Sequence, residues 1–172
     1  MSARAQLASL VLPVTAAVVV PALITLGDPA RSWTPWRPAS AASAPGWRLA
    51  LGGAVLAAGL ALVAWTIALF ARRGRGTLAP WDPPRALVVA GPFAHVRNPM
   101  ITGVAAIIVG EAVALGSRGI GLWLVVFLIV NHLYFVLSEE PGLARRFGAE
   151  YEAYRRHVPR WIPRRRAWRP PR

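Results

Sequence analysis

An all-α bundle of about four membrane-spanning helices, closed by a C-terminal amphipathic helix at the membrane surface, is the architecture this sequence predicts. Three observations lead there. The chain holds four long apolar segments; 55% of its 172 residues are hydrophobic against 16% charged; and nearly all the charge lies between the segments. So much apolar material excludes a disordered chain and speaks against an ordinary water-facing domain. The 20 basic residues, all arginine, outnumber the 7 acids. Confined between apolar runs, that excess points to anionic lipid headgroups rather than nucleic acid. The absence of cysteine removes disulfides, thiolate nucleophiles and cysteine metal sites. Arginine without lysine, beside abundant alanine, reads as the codon usage of a GC-rich genome.

The first span, residues 6–26, carries no charge and at 1.5 Å per residue gives about 31 Å of helix, enough to cross the hydrocarbon layer. A signal peptide cleaved near the small-residue run 39–44 is the competing reading. The apolar core is long for that and the cleavage site distant, so a retained helix is favoured. Residues 47–71 form the second span, with Trp47 at an interface and Arg48 free to snorkel. Residues 99–115 and 120–137 are shorter, and the connection Gly116 to Gly119 between them permits only a tight antiparallel hairpin. With four spans, 16 arginines fall on the side of the N-terminus, the 72–98 loop and the tail, and four on the other. The positive-inside rule then places that loop and the C-terminus in the cytoplasm, and the composition suggests a bacterial inner membrane.

Beyond the fourth span, Pro141 suits the first turn of a new helix and predicts a bend at Glu139-Glu140. Leu143, Phe147, Tyr151, Tyr154 and Val158 recur at helical spacing opposite charged residues, an amphipathic stripe lying on the protein or on headgroups. The tail PRWIPRRRAWRPPR reads as a lipid anchor.

Polar residues inside apolar spans are costly and therefore informative. Glu111 faces the bundle interior, a cavity or a partner, for structure or for chemistry. Asn131 and His132 each suit an interhelical hydrogen bond. Leu128, His132, Phe135 and Glu139 share one α-helical face, which adds a functional reading for His132. In the loop GRGTLAPWDPPRALVVAGPFAHVRNPM, a short β-prone run (Ala86 to Val89) precedes a Gly91-Pro92 turn. Asn98 stands as N-cap before the helix-opening Pro99, and such a helix start suits a carboxylate ligand as well as a simple cap.

The motifs GPFAHVRNPM and EEPGLARRFGAEYEAYRRHVP, flanking an apolar hairpin, resemble the isoprenylcysteine carboxyl methyltransferase family of small membrane methyltransferases, over about residues 75–163. That likeness divides the chain into an N-terminal two-span region, 1–71, and a methyltransferase-like core, 72–172, comprising the cytoplasmic loop, the helical hairpin 99–137, the amphipathic helix and the basic tail. It implies an S-adenosyl-L-methionine pocket at the loop ends of the last two spans. The cofactor contacts it implies are Arg85, Ala86, Leu87, Val88, Phe93, Asn98, Pro99, Met100, Ile101 and Glu139, with Leu78 earlier in the loop. No metal is implied. Where the prenylcysteine enzymes carry a basic residue four positions before the glutamate, this chain has Phe135, a substrate-side position. The acceptor is accordingly expected to be lipophilic or small and apolar, a carboxylate, amine or thiol, with His132 or Glu111 taking the proton.

Two other readings stand beside it. Membrane reductases of sterol-reductase type resemble the same loop and hairpin but use NADPH, whose 2′-phosphate Arg72, Arg73 and Arg75 could meet. A non-catalytic scaffold would use Gly52, Gly53, Gly59, Gly103 and Gly110 as close-packing surfaces.

Overall fold

The computed structural model describes residues 11–27, 45–73 and 86–170. Five helices account for most of them: α1 (Val11–Gly27), α2 (Gly46–Arg73), α3 (Pro99–Leu115), α4 (Arg118–Tyr134) and α5 (Glu140–His157). No strand occurs among the described residues, so the β-prone run after Arg85 is an extended loop ending in a 3-10 turn at Gly91–Ala94. A single short run has no neighbouring strand to pair with, and propensity alone does not make a sheet.

Two helices are long and apolar enough to cross a membrane, Gly46–Phe70 and the continuous helix from Arg118 onward; α1 and α3 are shorter apolar helices. Large hydrophobic side chains stand exposed along their outer faces, among them Leu23, Leu60, Trp65, Leu122, Ile129 and Leu137. Water would not tolerate so continuous an apolar surface; lipid would.

The α2–α3 pair is built on glycine. A Cβ on Gly52 would lie 2.6 Å from the Gly110 carbonyl, and one on Gly59 would lie 2.7 Å from that of Gly103, so the antiparallel backbones touch at two levels seven residues apart. Gly53, read from the sequence as part of this surface, meets nothing within 4 Å. Arg48 does not simply reach for the headgroups: its Nε donates to the Val113 carbonyl at 3.1 Å, joining the start of α2 to the last turn of α3. The core behind the pair gathers Val104, Ile107 and Ile108 of α3, Ile120 and Phe127 of α4, and Ala16 and Ala17 of α1.

The hairpin is tighter than predicted. Gly116, in the left-handed region at φ 63°, ends α3, and the Ser117 hydroxyl caps α4 by accepting from the Ile120 N–H at 3.2 Å. Arg118 and Gly119 therefore belong to the helix.

The expected bend at Glu139-Glu140 is absent. Glu140 has ordinary helical dihedrals, and a π-helical turn over Phe135–Glu139 carries α4 directly into α5. In this wider turn the Glu140 N–H reaches the Phe135 carbonyl, a spacing that makes room for Pro141, which has no N–H to donate. The same device occurs in α1, where a π turn over Thr15–Val19 comes two residues before Pro21. There the carbonyl orphaned by proline, that of Ala16, accepts the indole N–H of Trp123 at 2.9 Å and ties α1 to α4. The break in the C-terminal helix falls instead at Gly148, with φ 50° and ψ −126°.

Candidate active site

The end of the bundle where α3 begins and α4 finishes holds the greatest concentration of paired charge and buried aromatics. Its centre is Glu140. Arg160 grips that carboxylate with both ends of its fork, Nε to Oε1 at 2.6 Å and Nη2 to Oε2 at 2.9 Å. Arg97 approaches from the opposite side, Nη1 lying 2.8 Å from Oε1; its N–H is not aligned as a hydrogen bond, so the contact is a charge pairing. The side chains of Arg97 and Glu140 are only 12% and 11% exposed. Burial pushes the Glu140 carboxyl up, and the hydrogen bonds from Arg160 together with the charges of Arg97 and Arg160 outweigh that, holding it below its ordinary range. The Glu140 hydrogen bond in turn raises Arg160.

This clip joins two stretches that the sequence marked separately. Arg97 immediately precedes Asn98, Pro99, Met100 and Ile101 at the start of α3, and Glu140 immediately follows Glu139. The two sets of proposed contacts are thus held together through a single carboxylate. Asn98 occupies the N-cap position, but its side chain makes no capping hydrogen bond; its carbonyl receives the Thr102 N–H and hydroxyl instead. Pro99 is fully buried, Met100 is half-buried, and Ile101 packs against the core.

Above the clip, Phe93 lies against Phe70 at the end of α2, ring centroids 6.3 Å apart, and its carbonyl accepts the Tyr154 hydroxyl at 2.8 Å. Leu87 and Val89 pack on a cluster formed by Tyr151, Tyr154, Val158 and Trp168, while Val88 is buried. The amphipathic stripe of α5 therefore covers the loop of its own chain. Leu78 and Arg85 lie outside the described residues, as does Arg75.

His132 stands apart from the clip, on the outer side of α4. It lines an open apolar groove of about 410 Å³ with Leu128, Ile129, Leu133 and Trp161. The Trp161 indole donates to its Nδ1 at 3.2 Å. An indole N–H can only donate, so the accepting nitrogen carries no proton and Nε2 is the protonated one. Phe135 is buried with its ring 5.6 Å from Trp161. Glu139 does not line the groove, because the π turn shifts the register that would have kept it on the His132 face.

Glu111 is partly buried, and its Oε2 has no hydrogen-bond partner. It lies one turn from the hairpin in α3, whereas His132 lies near the other end of α4; at 1.5 Å per residue their depths differ by about 15 Å. The structure does not bring these two groups to one substrate atom. Among the described residues Asn131 makes no interhelical bond; its amide donates to the Phe127 carbonyl of its own helix at 2.8 Å.

The clip formed by Arg97, Glu140 and Arg160, and the places of Trp161 and Trp168 beside it, go beyond the expected bend at Glu140, the arginine bias and the lipid-anchoring tail. For Glu140 the available signal was a second carboxylate flanked by proline, with arginines at either end of the motif region.

A paired-charge mouth on an apolar helical bundle defines a membrane-embedded protein with a polar site at one end. A family model for phospholipid methyltransferases matches residues 47–150, from the start of α2 into α5. The chain belongs to the phospholipid methyltransferase family, one of the small membrane methyltransferase families of isoprenylcysteine carboxyl methyltransferase type, and is an integral membrane protein. The match takes in α2 as well as the loop and hairpin whose motifs carried the resemblance. No curated protein and no solved structure matches the chain.

Proposed function

We propose that this protein transfers a methyl group from S-adenosyl-L-methionine to a lipophilic or small apolar acceptor at the membrane surface. The observation that carries the reading is the Arg97–Glu140–Arg160 clip, which holds the opening of α3 and Glu139 in a fixed relation. The residues present fit such a donor. The first turn of α3, with no side chain of Asn98 closing it, offers backbone N–H groups and a positive dipole end to a carboxylate. Phe93 and the extended Ala86–Val88 backbone suit an adenine ring, and Glu139 suits hydroxyl or ammonium donors.

The sulfonium supplies an already activated methyl, so the protein's tasks are to orient the acceptor and to exclude water. The apolar groove beside His132 offers a seat for a lipophilic acceptor, and the buried Phe135 adds apolar surface next to it. For an anionic acceptor charge is neutralised as the methyl moves, which a dry site favours. With the Trp161 bond closed, His132 presents an Nε2–H donor; taking a proton at Nδ1 requires that bond to open. The span count of four, the cytoplasmic placement of loop and tail, the bacterial inner membrane and anionic lipid as partner of the exposed arginines complete the reading.

Calorimetry on detergent-solubilised protein tests it, with S-adenosylhomocysteine as probe. Saturable heat is expected. Heat with NADPH alone would transfer the protein to the reductase class, and no heat with either would leave the scaffold reading. Transfer of tritiated methyl into a host lipid extract then identifies the acceptor.

A further inference from the structure

The segment after α5 lies beyond the family match, which ends at residue 150, yet it is bound into the site. Its backbone runs beside the 94–97 loop in the opposite direction. The Arg97 N–H donates to the Pro159 carbonyl, the Arg164 N–H to that of His95, and the Trp168 N–H to that of Ala94, at 2.9 to 3.0 Å. The His95 ring adds a fourth contact, Nδ1 to the Arg164 carbonyl at 2.7 Å. Side chains fasten both ends. Arg160 holds Glu140, and Trp168, buried, stacks on His157 at 5.6 Å and lies 5.8 Å from Tyr154. A tail that only lay on lipid would turn such groups outward, as Arg165, Arg166 and Arg169 do turn.

We propose that residues 158–168 form a strap that completes the donor-binding half of the site, with Arg160 as the positioning residue. This rests on the proposed donor contacts at Asn98–Ile101 and Glu139. Arg160 touches none of them. It fixes Glu140, Glu140 fixes the Arg97 side chain, and the strap carbonyl of Pro159 fixes the Arg97 N–H, one residue before the helix start. Without Arg160, Glu140 keeps only the unaligned charge pairing with Arg97. The opening of α3 is then free to move relative to Glu139, and binding the donor must order it again, which weakens affinity rather than the chemical step. Because strap closure and donor binding share this linkage, each favours the other by the same factor.

The test compares the full-length chain with Arg160→Ala, Arg160→Lys and Arg165→Ala, the last removing the same charge from an exposed position. With S-adenosylhomocysteine as probe, Arg160→Ala is expected to raise Kd by about tenfold or more and to raise KM for the donor, while turnover at saturating donor is largely kept. Lysine restores part of the affinity, since an ammonium makes a point contact in place of the fork; Arg165→Ala leaves Kd unchanged. A merely structural role would lower the folded fraction without changing Kd. Trypsin cleavage at Arg164–Arg166 supplies a measurement on the wild-type chain itself, and the probe is expected to slow it. Wild-type Kd in folded Arg160→Ala, or no protection of the strap by bound probe, overturns the inference while leaving the methyltransferase reading intact. Failure of the wild-type chain to bind the probe overturns both.

Discussion

At the scale of single residues, the decisive feature is that one carboxylate serves two guanidinium groups. Replacing Glu140 by glutamine strands Arg97 and Arg160 where side-chain exposure is 12% and 22%, and breaking a buried pair from one side costs about 3 kcal/mol. The pH dependence follows from the sign of the shift. The folded-state pKa of Glu140 is lowered, so its contribution to stability is fully present above the unfolded value of about 4.3 and disappears as pH falls through the lower native value. Thermal unfolding in detergent from neutral to acid pH is expected to show a steeper acid loss for the native chain than for Glu140→Gln. Equal slopes would mean that the clip does not stabilise the fold. His132 calls for a different readout. It sits in the groove, away from the proposed donor contacts, so His132→Ala is expected to lower turnover while S-adenosylhomocysteine binds as before. Undiminished methyl transfer would remove it from the mechanism, and lost binding would assign it to the donor side.

At the scale of elements, glycine decides where helices touch and where they break. Gly52→Leu drives a side chain into the Gly110 carbonyl and Ala114, and overpacking of this kind costs about 1–3 kcal/mol. Gly53→Leu, one residue on, meets open space and is expected to stay within about 0.5 kcal/mol of the parent. Comparing the two melting temperatures tests the α2–α3 interface directly. Gly148→Ala probes the break in α5: nothing crowds the position, but its φ of 50° with ψ of −126° suits glycine alone, and the strain is about 1–3 kcal/mol. Gly142→Ala in the same helix has neither obstacle and serves as its control. These elements also show what was legible beforehand. Hydropathy and the Asn98-Pro99 start located the helices because lipid burial and proline leave composition signals. The close-packing glycines were visible as a set, but which of Gly52 and Gly53 faces α3 depends on helix rotation, which the pattern does not fix. Pro141 points to a bend in the sequence because a π turn, the other way to accommodate proline, is set by backbone hydrogen bonding rather than by residue type. The strap was invisible for a related reason. Its contacts to residues 94–97 are made by backbone groups that every sequence carries, and Arg160 looked like any other arginine in a basic tail.

At the scale of the whole molecule, the arrangement of charge makes a claim about orientation. The described site lies at the end of the bundle shared by the start of α3, the finish of α4 and the strap. On the proposed four-span arrangement, the arginine bias of 16 to four would put that end in the cytoplasm. Exposed arginines of the tail would then face anionic headgroups, each worth about 1 kcal/mol, while Arg97 and Arg160 are withdrawn into the clip. The absence of cysteine makes the claim directly measurable, because a single introduced thiol is the only one present. Ile162, 80% exposed on the strap, and Pro45, exposed before α2, lie on opposite sides of a four-span arrangement. In intact cells, a membrane-impermeant maleimide is expected to label Pro45→Cys, and to label Ile162→Cys only after lysis. Labelling of both from outside requires an even number of crossings between them, and the reverse pattern inverts the protein. Either result would move the donor site away from the compartment where S-adenosyl-L-methionine is made, so orientation and proposed chemistry stand or fall on the same pair of thiols.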